Sequence, residues 1–186
     1  MTDKIHEAII YADCRHAGDV RKQTSIPYLV HPMEVMGILI ANDCSEDVVV
    51  AGILHDAIED TCENNDVIRD IVRQEIKTKF GPAVLQIVDN KSEDKSKTWQ
   101  EHKQHTVDSL ATKDLETRLV CCAEKLSNIK SIASDQEKIG EKIWQRFNAS
   151  KKDQQWYCTS VVKALHLDGY PMYEELKTVV TEVFNK

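Results

Sequence analysis

No stretch of the 186-residue chain approaches the roughly 18 consecutive apolar residues of a membrane span, so none is expected. Nor is there a basic block: 24 Lys and Arg are scattered among 31 Asp and Glu, and the formal net charge is −7. That balance argues against non-specific binding to nucleic acid. Cysteine occurs without pattern: Cys14, Cys44, Cys62, Cys121, Cys122 and Cys158 contain no C-x-x-C pair. They read as reduced, mostly packed thiols of a cytoplasmic protein, not as a zinc or disulfide framework. The first residues, Met1-Thr2-Asp3-Lys4-Ile5-His6-Glu7, are too polar for a signal peptide. Two alternating β-branched runs flanking a tight turn are also missing, which excludes a hairpin, and neither an internal repeat nor a low-complexity tract occurs.

What is present is helical periodicity in a chain of ordinary globular composition, 41% hydrophobic and 30% charged. Ile5, Ala8, Ile9 and Ala12 predict a first helix to about His16. An irregular loop over 17–27 carries two cations, Arg21 and Lys22. A second helix begins around His31-Pro32, where the missing proline N–H costs nothing, and ends by Asn42. Ser45 as N-cap, with Glu46 and Asp47 in the first turn, starts a third. Val67, Ile68, Ile71, Val72 and Ile76 form the stripe of a fourth, stopped near Phe80-Gly81, and Pro82 restarts a short fifth. Residues 89–98 are charged and aperiodic, a surface loop. Helices follow over 99–111, 114–133, 138–148, 150–166 and 171–184. The expectation is an all-α fold, a single bundle of roughly eight to ten helices forming one domain over 1–186.

The chemistry is concentrated in His55-Asp56-Ala57-Ile58-Glu59-Asp60, directly after the apolar run Val48–Leu54. At 100° per residue, His55, Asp56, Glu59 and Asp60 fall within an arc of about 140° on one side of a helix. An imidazole and several carboxylates at the end of an apolar helix suit a divalent metal such as Mn²⁺, Fe²⁺ or Zn²⁺. His31 stands 24 residues earlier, at the start of its own helix, where an antiparallel neighbour would face it. Glu124, Asn128 and Ser131 recur at helical spacing on one face further on. An ion held by two imidazoles and one or two carboxylates would lower the pKa of a bound water, and Glu59 or Asp60 could take the proton. Arg21, Lys22, Lys91, Lys95, Lys97, Lys103 and Lys125 are candidates to hold phosphate. Tyr28 or Trp156 is the candidate aromatic partner for a base.

These residues resemble a known pattern. His31, His55-Asp56 and a late carboxylate follow the H…HD…D arrangement of HD-domain metal-dependent phosphohydrolases. More narrowly, Ile26-Pro27-Tyr28-Leu29-Val30-His31-Pro32, Leu54-His55-Asp56-Ala57-Ile58-Glu59-Asp60-Thr61 and Glu124-Lys125-Leu126-Ser127-Asn128 resemble the hydrolase domain of RelA/SpoT-type alarmone hydrolases and their small stand-alone homologues. The resemblance implies that His31, His55, Asp56 and Glu124 are metal ligands, with Mn²⁺ usual and Fe²⁺, Co²⁺ or Zn²⁺ as alternatives. It implies that Glu59 and Asp60 orient or deprotonate the attacking water, and that Arg21, Lys22, Tyr28, Asn128 and Ser131 contact the substrate. The implied activity is (p)ppGpp 3′-pyrophosphohydrolysis, with a small nucleotide as partner and homo-oligomerisation compatible with the sequence. Two alternatives stand beside it: an HD phosphatase acting on a nucleoside monophosphate or NADPH, and a catalytically weak nucleotide-binding module.

This chain departs from the family at informative positions. Glu124 stands where the family has Asp, so its carboxylate is displaced by a methylene. Trp99-Gln100-Glu101-His102-Lys103 stands where stand-alone members often read Trp-Glu-x-Arg-Lys, exchanging a permanent cation for a group that titrates near neutrality.

Overall fold

In the computed structural model of the protein, the residues described are 2–59, 65–90 and 98–185. Nine α-helices occur among them: α1 (Asp3–Arg15), α2 (Val30–Ala41), α3 (Glu46–Leu54), α4 (Asp66–Phe80), α5 (Pro82–Asp89), α6 (Trp99–Leu110), α7 (Leu115–Ile139), α8 (Lys151–Leu165) and α9 (Pro171–Phe184). A 3₁₀ segment, Gly140–Arg146, follows α7. The β-structure among the described residues is one isolated bridge between Val20 and Pro27. The fold is all-α, as the periodicity predicts, and none of these helices is long and apolar enough to cross a membrane.

The bundle is arranged around α3. All seven residues from Val48 to Leu54 are buried, as expected of a helix that is apolar on every side. It packs against α1, α2, α5 and α7, while α7 also carries α9 and α2. Side-chain caps define several of the helix starts. Asn65 and Asp114 accept backbone N–H groups at α4 and α7, and complete capping boxes, Thr98 with Glu101 and Ser150 with Asp153, start α6 and α8. Ser45 has extended N-cap dihedrals, but its side chain makes no capping bond. Between α4 and α5, Gly81 sits at φ +95°, a conformation that leaves Pro82 free to occupy the first position of the next helix.

The structure differs from the sequence expectation in three places. Helix α7 does not stop at 133 but continues to Ile139, since no glycine or proline interrupts it before Gly140 at φ +60°. The expected helix at 138–148 is replaced by the 3₁₀ segment. On α4 the buried residues are Val72, Ile76 and Phe80, whereas Val67 and Ile71 are 70% and 52% exposed. That helix packs mainly on α5, so it buries a narrower stripe than its apolar residues span. The loop expected at 89–98 lies largely outside the described residues, with Lys91, Lys95 and Lys97 in it. Of the described cysteines, Cys121 and Cys122 are buried, but Cys14 is exposed.

Gly52 sets the approach of α2 to α3. A Cβ there would lie 2.3 Å from Leu39 Cδ1 and 3.2 Å from Val35 Cγ1, both fully buried side chains. Alanine would favour the helix by about 1 kcal/mol, but overpacking typically costs about 1–3 kcal/mol. Gly52→Ala is therefore expected to be net destabilising in urea denaturation, and Gly52→Val more so; an unchanged midpoint in both would show that the contact is loose.

Candidate metal centre

Helix α3 ends at Leu54, and His55 is its C-cap with Asp56 to Glu59 in turns. The motif therefore does not lie along a helix face, as the 100° spacing suggested. It turns away from a helix end embedded in the core. His31 comes from the first turn of α2. His31, His55 and Asp56 each offer a ligand atom within 4.8 Å of the others, although the two histidines are 24 residues apart in sequence.

The imidazoles are fixed from behind. Nδ1 of His55 lies 2.8 Å from the carbonyl oxygen of Gly52. A carbonyl can only accept, so Nδ1 carries a proton, and in the neutral ring that binds a metal Nε2 presents its lone pair. That Nε2 is buried without a hydrogen-bond partner, yet lies 2.8 Å from Asp56 Oδ2. A lone pair facing a carboxylate oxygen at this distance is repulsive unless a cation lies between or beside them. His31 presents Nε2 3.9 Å from the same oxygen, with its Nδ1 2.9 Å from Ser127 Oγ. The donor set of two imidazoles and a carboxylate, anchored by outer partners, fits a divalent metal. Tyr28 donates its hydroxyl to Asp56 Oδ2 at 2.5 Å.

Glu124 lies outside this close group. It is buried on α7, and its Oε1 accepts from Lys125 Nζ at 2.9 Å and Asn128 Nδ2 at 2.8 Å. Asn128 in turn accepts from Arg21 at 3.0 Å, so loop 17–27 is tied to α7 through the site. Burial works to lower the pKa of Lys125, but the neighbouring Glu124 carboxylate and Tyr157 outweigh it and raise it well above the ordinary value. Lys125 therefore stays a cation.

His31, Asp56 and Glu59 line a cavity of about 470 Å³ together with Arg21, Lys22, Tyr28, Glu124, Lys125, Asn128 and Ser131. Every described member of the expected site except His55 lines it, and His55 lies directly behind Asp56, 2.8 Å from its Oδ2; Asp60 lies outside the described residues. Lys103 adds a cation, so an acidic chain gathers positive side chains here. Ile129, Ile132, Ile143, Phe147, Val161 and Leu176 supply apolar walls.

Sequence reasoning chose the wrong aromatic on α8. Trp156 packs against Trp99, with ring centroids 6.5 Å apart, and does not line the cavity. Tyr157 does, with Lys103 Nζ 5.1 Å and Lys125 Nζ 5.3 Å from its ring centroid. Buried spacing at Tyr157, Val161 and Leu165 was the available signal, since it turns Tyr157 inward. Tyr28 has one ring face taken by His16, stacked at 4.5 Å. Ser127 and Glu34 were also missed: Glu34 is on an exposed position of α2, and nothing in its spacing links it to α7.

Burial pushes His31 down to about 3, with His55 adding to the effect and Asp56 and Glu124 opposing it. The unfolded chain titrates this group near 6.5. Below that pH the unfolded state takes a proton that the folded state refuses, so this contribution to stability is complete above about 6.5 and drains as pH falls towards about 3. Metal-free protein is expected to lose stability between pH 6.5 and pH 4. His31→Asn should flatten that slope by up to about 1.4 kcal/mol per pH unit. Urea denaturation across the range checks this, and equal slopes in both proteins would contradict it.

Comparison with known proteins places this geometry in a family. The HD domain family matches residues 8–154. A protein of Drosophila melanogaster named guanosine-3′,5′-bis(diphosphate) 3′-pyrophosphohydrolase MESH1 is 31% identical over 132 residues, covering 69% of each chain. The Mus musculus protein of that name is 28% identical over 179 residues, covering 95% of this chain and 92% of its own. Several bacterial relatives are much longer, and the chain spans 10 to 19% of their length. A solved structure described as a metazoan ortholog of SpoT that hydrolyzes ppGpp superposes with a TM-score of 0.78 over 98% of this chain and 96% of that one; at 24% identity it shows the shared fold. The chain belongs to the HD-domain family, as a metal-dependent hydrolase.

Proposed function

We propose that the protein is a Mn²⁺-dependent (p)ppGpp 3′-pyrophosphohydrolase of the cytoplasm, acting as one domain over residues 1–186. The observation that carries this reading is the His31–His55–Asp56 group opening into a cavity where Arg21, Lys22, Lys103 and Lys125 gather in a chain of net charge −7. A ligand held there carries several negative charges, and its attraction comes from this local cluster and not from the field of the whole molecule. The names borne by the Drosophila and mouse relatives support the alarmone as that ligand.

His31, His55 and Asp56 would hold the ion, with Glu124 as a further carboxylate from α7. When bound, the ion supplies Lewis acidity, lowering the pKa of a water and offsetting charge on the phosphoryl oxygens. Glu59, half-buried in the cavity wall, accepts the proton as water adds to the phosphorus on O3′ and the P–O3′ bond breaks. Asp60, next in sequence, is the alternative acceptor. Pyrophosphate leaves, and O3′ regains a proton. Arg21 and Lys22 neutralise the diphosphate, while Asn128 and Ser131 on α7 contact the nucleoside. Tyr28 acts through its bond to Asp56, and Tyr157 is the aromatic side chain of α8 on the cavity wall. The apolar walls around Ile143 and Phe147 suit a purine.

A second reading, a nucleotide-binding module with weak turnover, is favoured by one observation: Glu124 is engaged by Lys125 and Asn128 instead of standing with the histidines. The two readings diverge on metal-stripped protein given Mn²⁺ and ppGpp, with products resolved by ion exchange. The hydrolase releases pyrophosphate and GDP, a phosphatase releases orthophosphate, and a binder retains nucleotide without turnover. His55→Ala and Asp56→Ala are each expected to remove metal binding and lower kcat by at least about 100-fold, with the helical fold kept. Wild-type rates in either would sink the site assignment. Glu124→Asp should retain or raise activity if Glu124 is a ligand, whereas unchanged metal content in Glu124→Ala would remove it from the set.

A further inference from the structure

The hydroxyl of Ser127 stands between two partners. It donates to Glu34 Oε2 at 2.6 Å, and it lies 2.9 Å from His31 Nδ1. A hydroxyl has one proton to give, and a carboxylate oxygen can only accept. With that proton committed to Glu34, Ser127 can only accept from the imidazole, so Nδ1 of His31 must be the protonated nitrogen. The competing tautomer would need an acceptor for a proton on Nε2, and Asp56 Oδ2 at 3.9 Å is beyond hydrogen-bond reach. Neutral imidazole at this site agrees with the burial of His31.

We propose that Glu34, through Ser127, is a positioning residue that fixes the tautomer of His31 and so keeps its Nε2 lone pair available to a divalent ion. This rests on the reading of His31 as a metal ligand. The relay spans two helices, with Glu34 and His31 on α2 and Ser127 on α7. It gives His31 the proton direction that His55 obtains more simply from the Gly52 carbonyl. Glu34 occupies an exposed position of α2 and does not line the cavity, so its replacement leaves the packing of the bundle alone.

The test reads the proton directly. In metal-stripped, ¹⁵N-labelled full-length protein at neutral pH, long-range ¹H–¹⁵N correlation is expected to show His31 protonated on Nδ1 and bare on Nε2. In Glu34→Ala the Ser127 hydroxyl is released to donate to Nδ1, and the imidazole proton moves to Nε2. Affinity for Mn²⁺, read by competition with a chelating dye, should then fall about 10–100-fold. Glu34→Gln should keep both properties, because its amide oxygen still accepts from Ser127. A proton on Nε2 in the unaltered protein, or an unchanged tautomer and affinity in Glu34→Ala, would overturn the relay. If His31 resonances of the unaltered protein fail to move on adding Zn²⁺, the metal-ligand reading fails, whichever nitrogen carries the proton.

Discussion

The closeness of α2 and α3 at Gly52 governs where the two imidazoles stand. Because no Cβ separates the helices there, Leu39 and Val35 pack directly on the α3 backbone. The same residue's carbonyl holds Nδ1 of His55 one turn later. One glycine thus sets both the interhelical spacing and the orientation of a ring at its end. The core around α3 is fully desolvated, so the polar groups that emerge where the helix stops meet each other before they meet water. In such surroundings an unpaired polar group is costly, and Nδ1 of each of the two imidazoles has a partner, Ser127 for His31 and the Gly52 carbonyl for His55.

The electrostatic arrangement follows from that placement. Asp56 receives the Tyr28 hydroxyl and faces both histidines, while Glu124 is matched to Lys125 and Asn128. Glu124 is therefore offset by an adjacent cation, although the molecule as a whole is acidic. Cys158, on the cavity wall, has its thiol pushed up to about 11 by burial and remains protonated. It contributes volume, not charge.

Much of this was legible in the residues themselves. The all-α fold followed from 3.6-residue periodicity, and the motif His55-Asp56 with His31 was visible because its residue types are costly at the end of an apolar helix. What escaped was set by tertiary contacts. The arc drawn along α3 failed because the helix ends at Leu54 and residues 55–59 continue as turns. The stripe on α4 was drawn too wide because a helix with one main neighbour buries fewer residues than it could. Trp156 and Tyr157 differ by 100° around α8, and it is Tyr157, in register with the buried Val161 and Leu165, that faces the cavity. The link from Glu34 to Ser127 crosses 93 positions, and no local spacing encodes it.

The site is divided between two sets of helices. His31 stands in the first turn of α2, and His55 and Asp56 stand just past the end of α3, whose residues from Val48 to Leu54 are all buried. Lys103, Gln154 and Tyr157 reach the cavity from α6 and α8, a pair that packs chiefly on each other and on α9. Substitutions on that outer pair can change the shape and charge of what is held while the reacting groups stay fixed. A lineage built on this plan can exchange one phosphorylated metabolite for another by drift on two surface helices, with no need to rebuild its chemistry.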